Sequence, residues 1–157
     1  MQIGEMIIDG PAEEVKVIPH GNKEVVFRAR AVLTKDYEDF DKLCPRPEAP
    51  EIIKKGGERV RDINDKEFNS KLDIWAMQRV DYMILKALEP SKIKWDSVDM
   101  SKPESWTNHR DELESIFGEA NTRTIINLAY SVCGLNQTKI EEATKRFLAG
   151  QEATQKE

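Results

Sequence analysis

Apolar and polar positions alternate in the first part of the chain and then settle into a three-and-four spacing. Val15 and Val17 flank Lys16, and beyond Pro19-His20-Gly21-Asn22-Lys23 the residues Val25, Phe27, Ala29, Ala31 and Leu33 alternate with Val26, Arg28, Arg30 and Val32. Period two with β-branched and aromatic residues predicts two strands, and the central Gly-Asn joins them as a hairpin. A lone hairpin is marginal in water. This one must therefore pack on helices, gain a third strand near Met6-Ile7-Ile8, or pair with another chain. A short helical turn over Lys35–Leu43, started by Thr34, is expected next. In Cys44-Pro45-Arg46-Pro47-Glu48-Ala49-Pro50 the prolines exclude helix and ladder alike. Residues 44–62 read as a long loop, with Gly56-Gly57 as a second break.

The helical pattern begins near Asp65. Phe68, Leu72, Trp75, Ala76, Val80, Met83, Ile84 and Leu88 fall on one stripe. They predict an unbroken helix over residues 65–89, capped by Asn64 or Asp65 and stopped by Pro90, with Leu72, Trp75 and Ile84 buried. Ile93, Trp95 and Val98 follow in a short extended or turned segment. Pro103 opens a second helix carrying Trp106, Arg110, Leu113 and Phe117, which Gly118 ends. A third runs from about Thr122 to Cys133, with Ile125, Leu128, Ala129 and Val132 inward and Gly134 as terminator. The fourth starts at a capping box, Thr138 to Glu141, and its apolar stripe is Ile140, Ala143, Phe147 and Leu148. The layout is therefore an N-terminal hairpin and short helix (1–43), a proline- and glycine-rich loop (44–62), a bundle of about four helices (63–150) and a fraying tail (151–157). That is an α+β fold, mostly α.

Composition changes this picture in one respect. At 157 residues the chain fits one domain that buries roughly 70% of its unfolded surface. Charged residues reach 34%, above the usual ~25%, against 39% hydrophobic, so most helices must carry wide solvated faces. A chain rich in thin amphipathic helices often completes its core against a partner. The net charge of −5 argues against nucleic-acid binding. The basic stretch from Lys54 to Arg61 reads as a solvated loop. The first residues are too short and too acidic for a signal peptide, and no apolar run reaches the ~18 residues of a membrane span. The cytosol is the expected compartment.

Candidate chemistry is sparse. Cys44 and Cys133 form neither a C-x-x-C nor a disulfide framework. Cys133 is expected as a buried structural thiol, and Cys44, before a proline, as an exposed one. His20 falls in the hairpin turn and His109 on an exposed helix face, without zinc-ligand spacing. The carboxylates of Asp36, Glu38, Asp39 and Asp41 read as a solvated face without a calcium-loop pattern. No nucleophile elbow or phosphate loop occurs. No catalytic residue, no metal site and no cofactor are assigned. Trp75, Trp95 and Trp106 are expected to pack where the long helix, the Ile93–Val98 segment and the second helix meet. Buried aromatics also dominate binding hot spots. The candidate partner-binding residues are accordingly Trp75, Trp95 and Trp106, Trp106 foremost, with Phe147 and Leu148 of the closing helix.

The order of segments carries a resemblance. Phe27-Arg28-Ala29-Arg30-Ala31-Val32-Leu33 leads through an acidic stretch to Cys44-Pro45-Arg46-Pro47. A long helix with Trp75 and Tyr82 follows, then Ile93-Lys94-Trp95-Asp96-Ser97-Val98-Asp99, the Pro103…Trp106 pair, and a closing helix with Ile140-Glu141-Glu142-Ala143…Phe147-Leu148. Over about residues 24–149 this resembles the tail assembly chaperones of tailed bacteriophages. The resemblance implies a non-enzymatic helical protein of the host cytoplasm that takes part in virion assembly. It would coat the tape measure protein, recruit tail tube subunits, and self-associate only weakly, with no nucleic-acid or membrane partner. The rival expectation is a structural subunit of the virion, in the tail, baseplate or connector, that self-assembles through its N-terminal hairpin.

Overall fold

The computed structural model describes residues 1–134 and 137–154. The fold is α+β, with short N-terminal hairpins followed by four helices. Strands β1 (Gln2–Ile3) and β2 (Met6–Ile7) close a small hairpin of their own. The segment Met6-Ile7-Ile8 is therefore not a third strand of the main hairpin, as the sequence allowed. That hairpin pairs β3 (Glu13–His20) with β4 (Lys23–Arg30) around the Gly21-Asn22 turn, placing Ile18 opposite Val25 and Lys16 opposite Phe27. Gly21 takes φ +61°, the positive value that a two-residue hairpin turn of this hand needs.

Alternation decides which face is covered. Ile18, Phe27 and Ala29 are buried, whereas Val15, Val17 and Val26 on the opposite face remain about half exposed. The outer edge of β4 is clipped at Arg28, whose N–H donates to Ser91 Oγ and whose carbonyl accepts from that hydroxyl, both at 2.7 Å. The edge of β3 is paired with no further strand among the described residues.

Helix α1 (Thr34–Leu43) begins where the Asp36 carboxylate accepts the Leu33 N–H at 2.8 Å. Asp36 is buried rather than part of a solvated face, because Arg30 neutralises it. Residues 44–62 contain a short hairpin, β5 (Glu51–Ile53) with β6 (Arg59–Arg61), turned through Gly56 and Gly57. The basic stretch lies along it. Helix α2 (Lys66–Ala87) is capped by Asp65, which accepts the Phe68 N–H at 2.7 Å. A 3₁₀ turn at Glu89–Ser91 ends it at Pro90.

Helix α3 (Asn108–Cys133) is broken at Gly118, whose φ of 75° and ψ of 167° lie outside any helix. Helix α4 (Gln137–Thr154) starts ahead of Thr138 and runs past Gly150. Thr138 is thus inside the helix rather than its cap, and residues 151–154 of the expected tail are helical; 155–157 lie outside the described residues.

Two clusters make the core. In one, Ile18, Phe27 and Ala29 of the hairpin meet Ile84, Ala87 and Leu88 of α2 and Leu113, Ile125, Leu128 and Ala129 of α3. Phe117, just before the break, meets Phe27 edge-on at 5.3 Å. In the other, Phe40 and Cys44 pack with Tyr82, Leu85 and Trp106. Tyr82 and Trp106 lie 4.9 Å apart with Phe40 within 6.0 Å of both. Cys44 is buried rather than exposed, its Sγ 3.6 Å from Gln78 Oε1. Cys133 is half-buried. Burial raises the pKa of both thiols.

Candidate partner-binding surfaces

Helix α2 has 22 residues and is therefore about 33 Å long, while its buried residues begin only at Asp81. Its N-terminal half is covered on one side only, where Trp75 packs against the Phe40 cluster. Leu72 and Trp75 are half-buried there, not sealed in as the stripe predicted, and Ala76 and Val80 are exposed. Ile74 and Met77 are 56% and 65% exposed. Where this half passes the start of α3, Ala76, Met77, Val80, Asp81, Thr107 and Arg110 line a groove of about 430 Å³.

A polar cluster forms the floor. Asp81 is nearly buried, with His109 Nδ1 at 3.8 Å and Arg110 Nε at 3.9 Å from its carboxylate. Burial raises the Asp81 pKa, against the opposing pull of the Arg110 charge. His109 is fully buried, contrary to the exposed position expected from its neighbours Asn108 and Arg110. Burial also lowers its pKa, so the ring is neutral at pH 7, and its approach to Asp81 is a packing contact rather than an ion pair. Its Nδ1 lies 2.7 Å from the Trp106 carbonyl and donates to it, leaving Nε2 as a buried acceptor without a partner among the described residues. A ring sealed in this way reaches no bound molecule. The cluster fixes the start of α3 against α2.

The second uncovered apolar face is on α4. Ile140, Phe147 and Leu148 share one face of this helix and are 55%, 64% and 52% exposed. Every described side chain from Ile140 to Gln151 is exposed. A smaller apolar pocket, about 260 Å³, opens between β4, the 91–98 segment and α3, with Trp95, Leu113 and Ile116 in its wall. Glu112 holds that segment in place, accepting the Asp96 N–H at 3.0 Å and bonding the Ser97 N–H and hydroxyl.

The candidate residues are thus distributed unevenly. Trp106 has no exposed surface, and its indole N–H donates to the Asp99 carbonyl at 3.2 Å. It is a core residue and offers nothing to a partner. Trp75 is half-buried with its N–H on the Cys44 carbonyl at 3.0 Å, and Trp95 is half-buried between the two core clusters. Phe147 and Leu148 stand together on α4, away from the tryptophan group in sequence and in burial. Met77, on the groove, and the exposed Ile74 were outside the sequence-derived stripe. The signal for them was an excess: α2 carries more apolar positions than one buried face can hold.

No helix among the described residues is long and apolar enough to cross a membrane. Comparison with known protein families, with curated proteins and with solved structures finds no match to this chain.

Proposed function

We propose that this chain is a non-enzymatic protein-binding protein that acts as a tail assembly chaperone of a tailed bacteriophage. In the host cytoplasm it holds helical segments of the tape measure protein and presents them to tail tube subunits. The observation that supports this reading is the pair of uncovered apolar faces: the groove lined by Ala76, Met77 and Val80, and the α4 stripe of Ile140, Phe147 and Leu148. An amphipathic client helix buries its own apolar side in such a groove. The segment resemblance described above supplies the identity of the client.

Apolar burial carries most of the affinity, at roughly 1.5–3 kcal/mol for each large aliphatic side chain covered. Exposed ion pairs add about 0–1 kcal/mol each. Co-purification with tape measure fragments should therefore survive moderate salt and weaken sharply for Phe147→Ala, whose side chain touches no core. Recovery of no fragment by the folded wild-type chain refutes the chaperone reading.

One observation favours a second reading as a virion subunit. Among the described residues the backbone edge of β3 around Val15 and Val17 has no strand beside it, and these valines are half exposed. That edge suits addition of a neighbour's strand as far as Pro19, which has no N–H to offer. Mass spectrometry of purified virions separates the two: a chaperone is absent from mature particles and a subunit is present.

A further inference from the structure

We propose that the β3 edges of two copies pair antiparallel across a two-fold axis at Val15, joining both hairpins into one four-stranded sheet. This rests on the uncovered edge of the second reading above and names the strand that fills it, but requires no place in the virion. The direction of the backbone groups follows from the opposite edge. Arg28 turns its N–H and its carbonyl outward to Ser91 Oγ. Val15 lies opposite Arg28 in the ladder, so its own N–H and carbonyl point the other way, out of the β3 edge. By the period of two, those of Glu13 and Val17 do the same, and all three residues are exposed.

Charge selects the register. With Val15 opposite Val15 of the second copy, Glu13 meets Val17, and the outward N–H and carbonyl groups of all three pair off. Glu14 then stands directly opposite Lys16 of the second copy, and Lys16 opposite its Glu14, at the closer spacing of a non-hydrogen-bonded pair. Glu14 keeps its bond from the Ser131 hydroxyl, at 3.1 Å, since a carboxylate accepts several donors. Sliding the strands by two positions in either direction sets Glu14 against Glu14 or Lys16 against Lys16. A slide of one turns the backbone donors away from their acceptors. Beyond the paired stretch Pro19 meets Pro11, and neither has an N–H to leave unpaired. The sheet closes at two copies, because Ser91 occupies the β4 edge at Arg28 on either side. The strand contact alone covers less than the ~800 Å² per partner of a standard interface, so the dimer is weak and forms as concentration rises.

Sedimentation equilibrium of the full chain, from low micromolar to near-millimolar concentration, tests this. The wild-type average mass should rise toward that of two chains and no further. Val15→Pro removes an N–H that the β3–β4 ladder does not use. The hairpin should therefore survive, as checked by circular dichroism, while the dimer is lost. Lys16→Glu and Glu14→Lys each set like charges face to face at both pairs flanking Val15, and each should weaken the dimer about tenfold or more. The decisive sample is the mixture of these two variants. It restores opposite charges at both pairs and should recover a 1:1 dimer. A wild-type chain that stays monomeric throughout overturns the proposal. So does association that Val15→Pro leaves intact, growth beyond two copies, or a mixture that recovers nothing. A monomeric chain that mass spectrometry still finds in purified virions removes this inference and leaves the second reading standing. A dimer that obeys the mixing rule but is absent from virions does the reverse.

Discussion

The guanidinium of Arg30 grips both carboxylate oxygens of Asp36, at 2.9 and 3.2 Å, across the corner where β4 gives way to α1. The same guanidinium reaches Glu89 at 3.1 Å, just past the end of α2. One side chain thus ties the hairpin, the first helix and the long helix together. Arg30 and Asp36 side chains are only 16% and 11% exposed, so removing one strands the other in a poorly solvated place. Asp36→Ala should cost about 2–4 kcal/mol in urea denaturation, near the lower end of values for breaking a buried pair. A loss under about half a kcal/mol would mean that solvent screens the pair.

The pH dependence of that pair has a definite sign. The hydrogen bonds from Arg30 hold the Asp36 pKa below the ordinary carboxylate value. A depressed folded-state pKa gives stability that is complete above the unfolded value, about 4, and is lost as pH falls through the folded one. The advantage of wild type over Asp36→Asn should be constant near neutrality and shrink in acid. An advantage that grows on acidification contradicts the assignment.

Asp81 behaves in the opposite way. Burial raises its pKa, so the folded state holds the proton more tightly than the unfolded state does, and stability falls as pH rises through that interval. Asp81→Asn should therefore unfold at higher urea than wild type at pH 7, and the two should converge below about pH 4. If the variant is instead the less stable at pH 7, Arg110 compensates the buried charge fully.

Burial along α2 divides its apolar residues into two classes that denaturation can separate. Ile84 is fully buried between hairpin and α3, and Ile84→Ala should cost about 2–5 kcal/mol. Leu72 is half-buried on the N-terminal half, so Leu72→Ala should cost less, below about 2 kcal/mol. Met77→Ala should be within about half a kcal/mol of wild type. Equal losses at Ile84 and Met77 would show that the groove is filled in solution.

These positions also show what the sequence could and could not disclose. The hairpin is legible because period two and a Gly-Asn turn leave one register that buries Phe27 with Ile18. The ends of α2 are legible because Asp65 caps and Pro90 stops. Which half of α2 is covered is not, since Met77 and Leu85 are equally apolar and only the placement of α3 tells them apart. His109 misleads for a similar reason. Its neighbours Asn108 and Arg110 are polar, yet at three-residue spacing it shares a buried face with Trp106. The Arg30–Asp36 pair spans a strand-to-helix corner that no periodic pattern describes. On the candidate surfaces, Phe147 and Leu148 stand out in the α4 stripe, whereas the groove exists only once two helices are set side by side.

Gly118 gives the sharpest backbone test, because two effects predict opposite signs. Its φ of 75° with ψ of 167° is a conformation that residues with a Cβ adopt only under strain, and a Cβ built there meets nothing within 4 Å. The cost of Gly118→Ala is therefore backbone strain alone, about 1–3 kcal/mol. Were α3 free to run straight, alanine would instead stabilise it by about 1 kcal/mol through helix propensity. A straight helix would carry Phe117 away from Phe27 and from His20, which it meets at 5.3 and 5.4 Å. It would also part the hairpin from the cluster formed by Leu113 and Ile125. The break is thus held by packing on both sides of it. Gly118→Ala should lower the urea midpoint, and Phe117→Ala in the same background should relieve part of that penalty. A Gly118→Ala chain more stable than wild type would mean that α3 is continuous in solution.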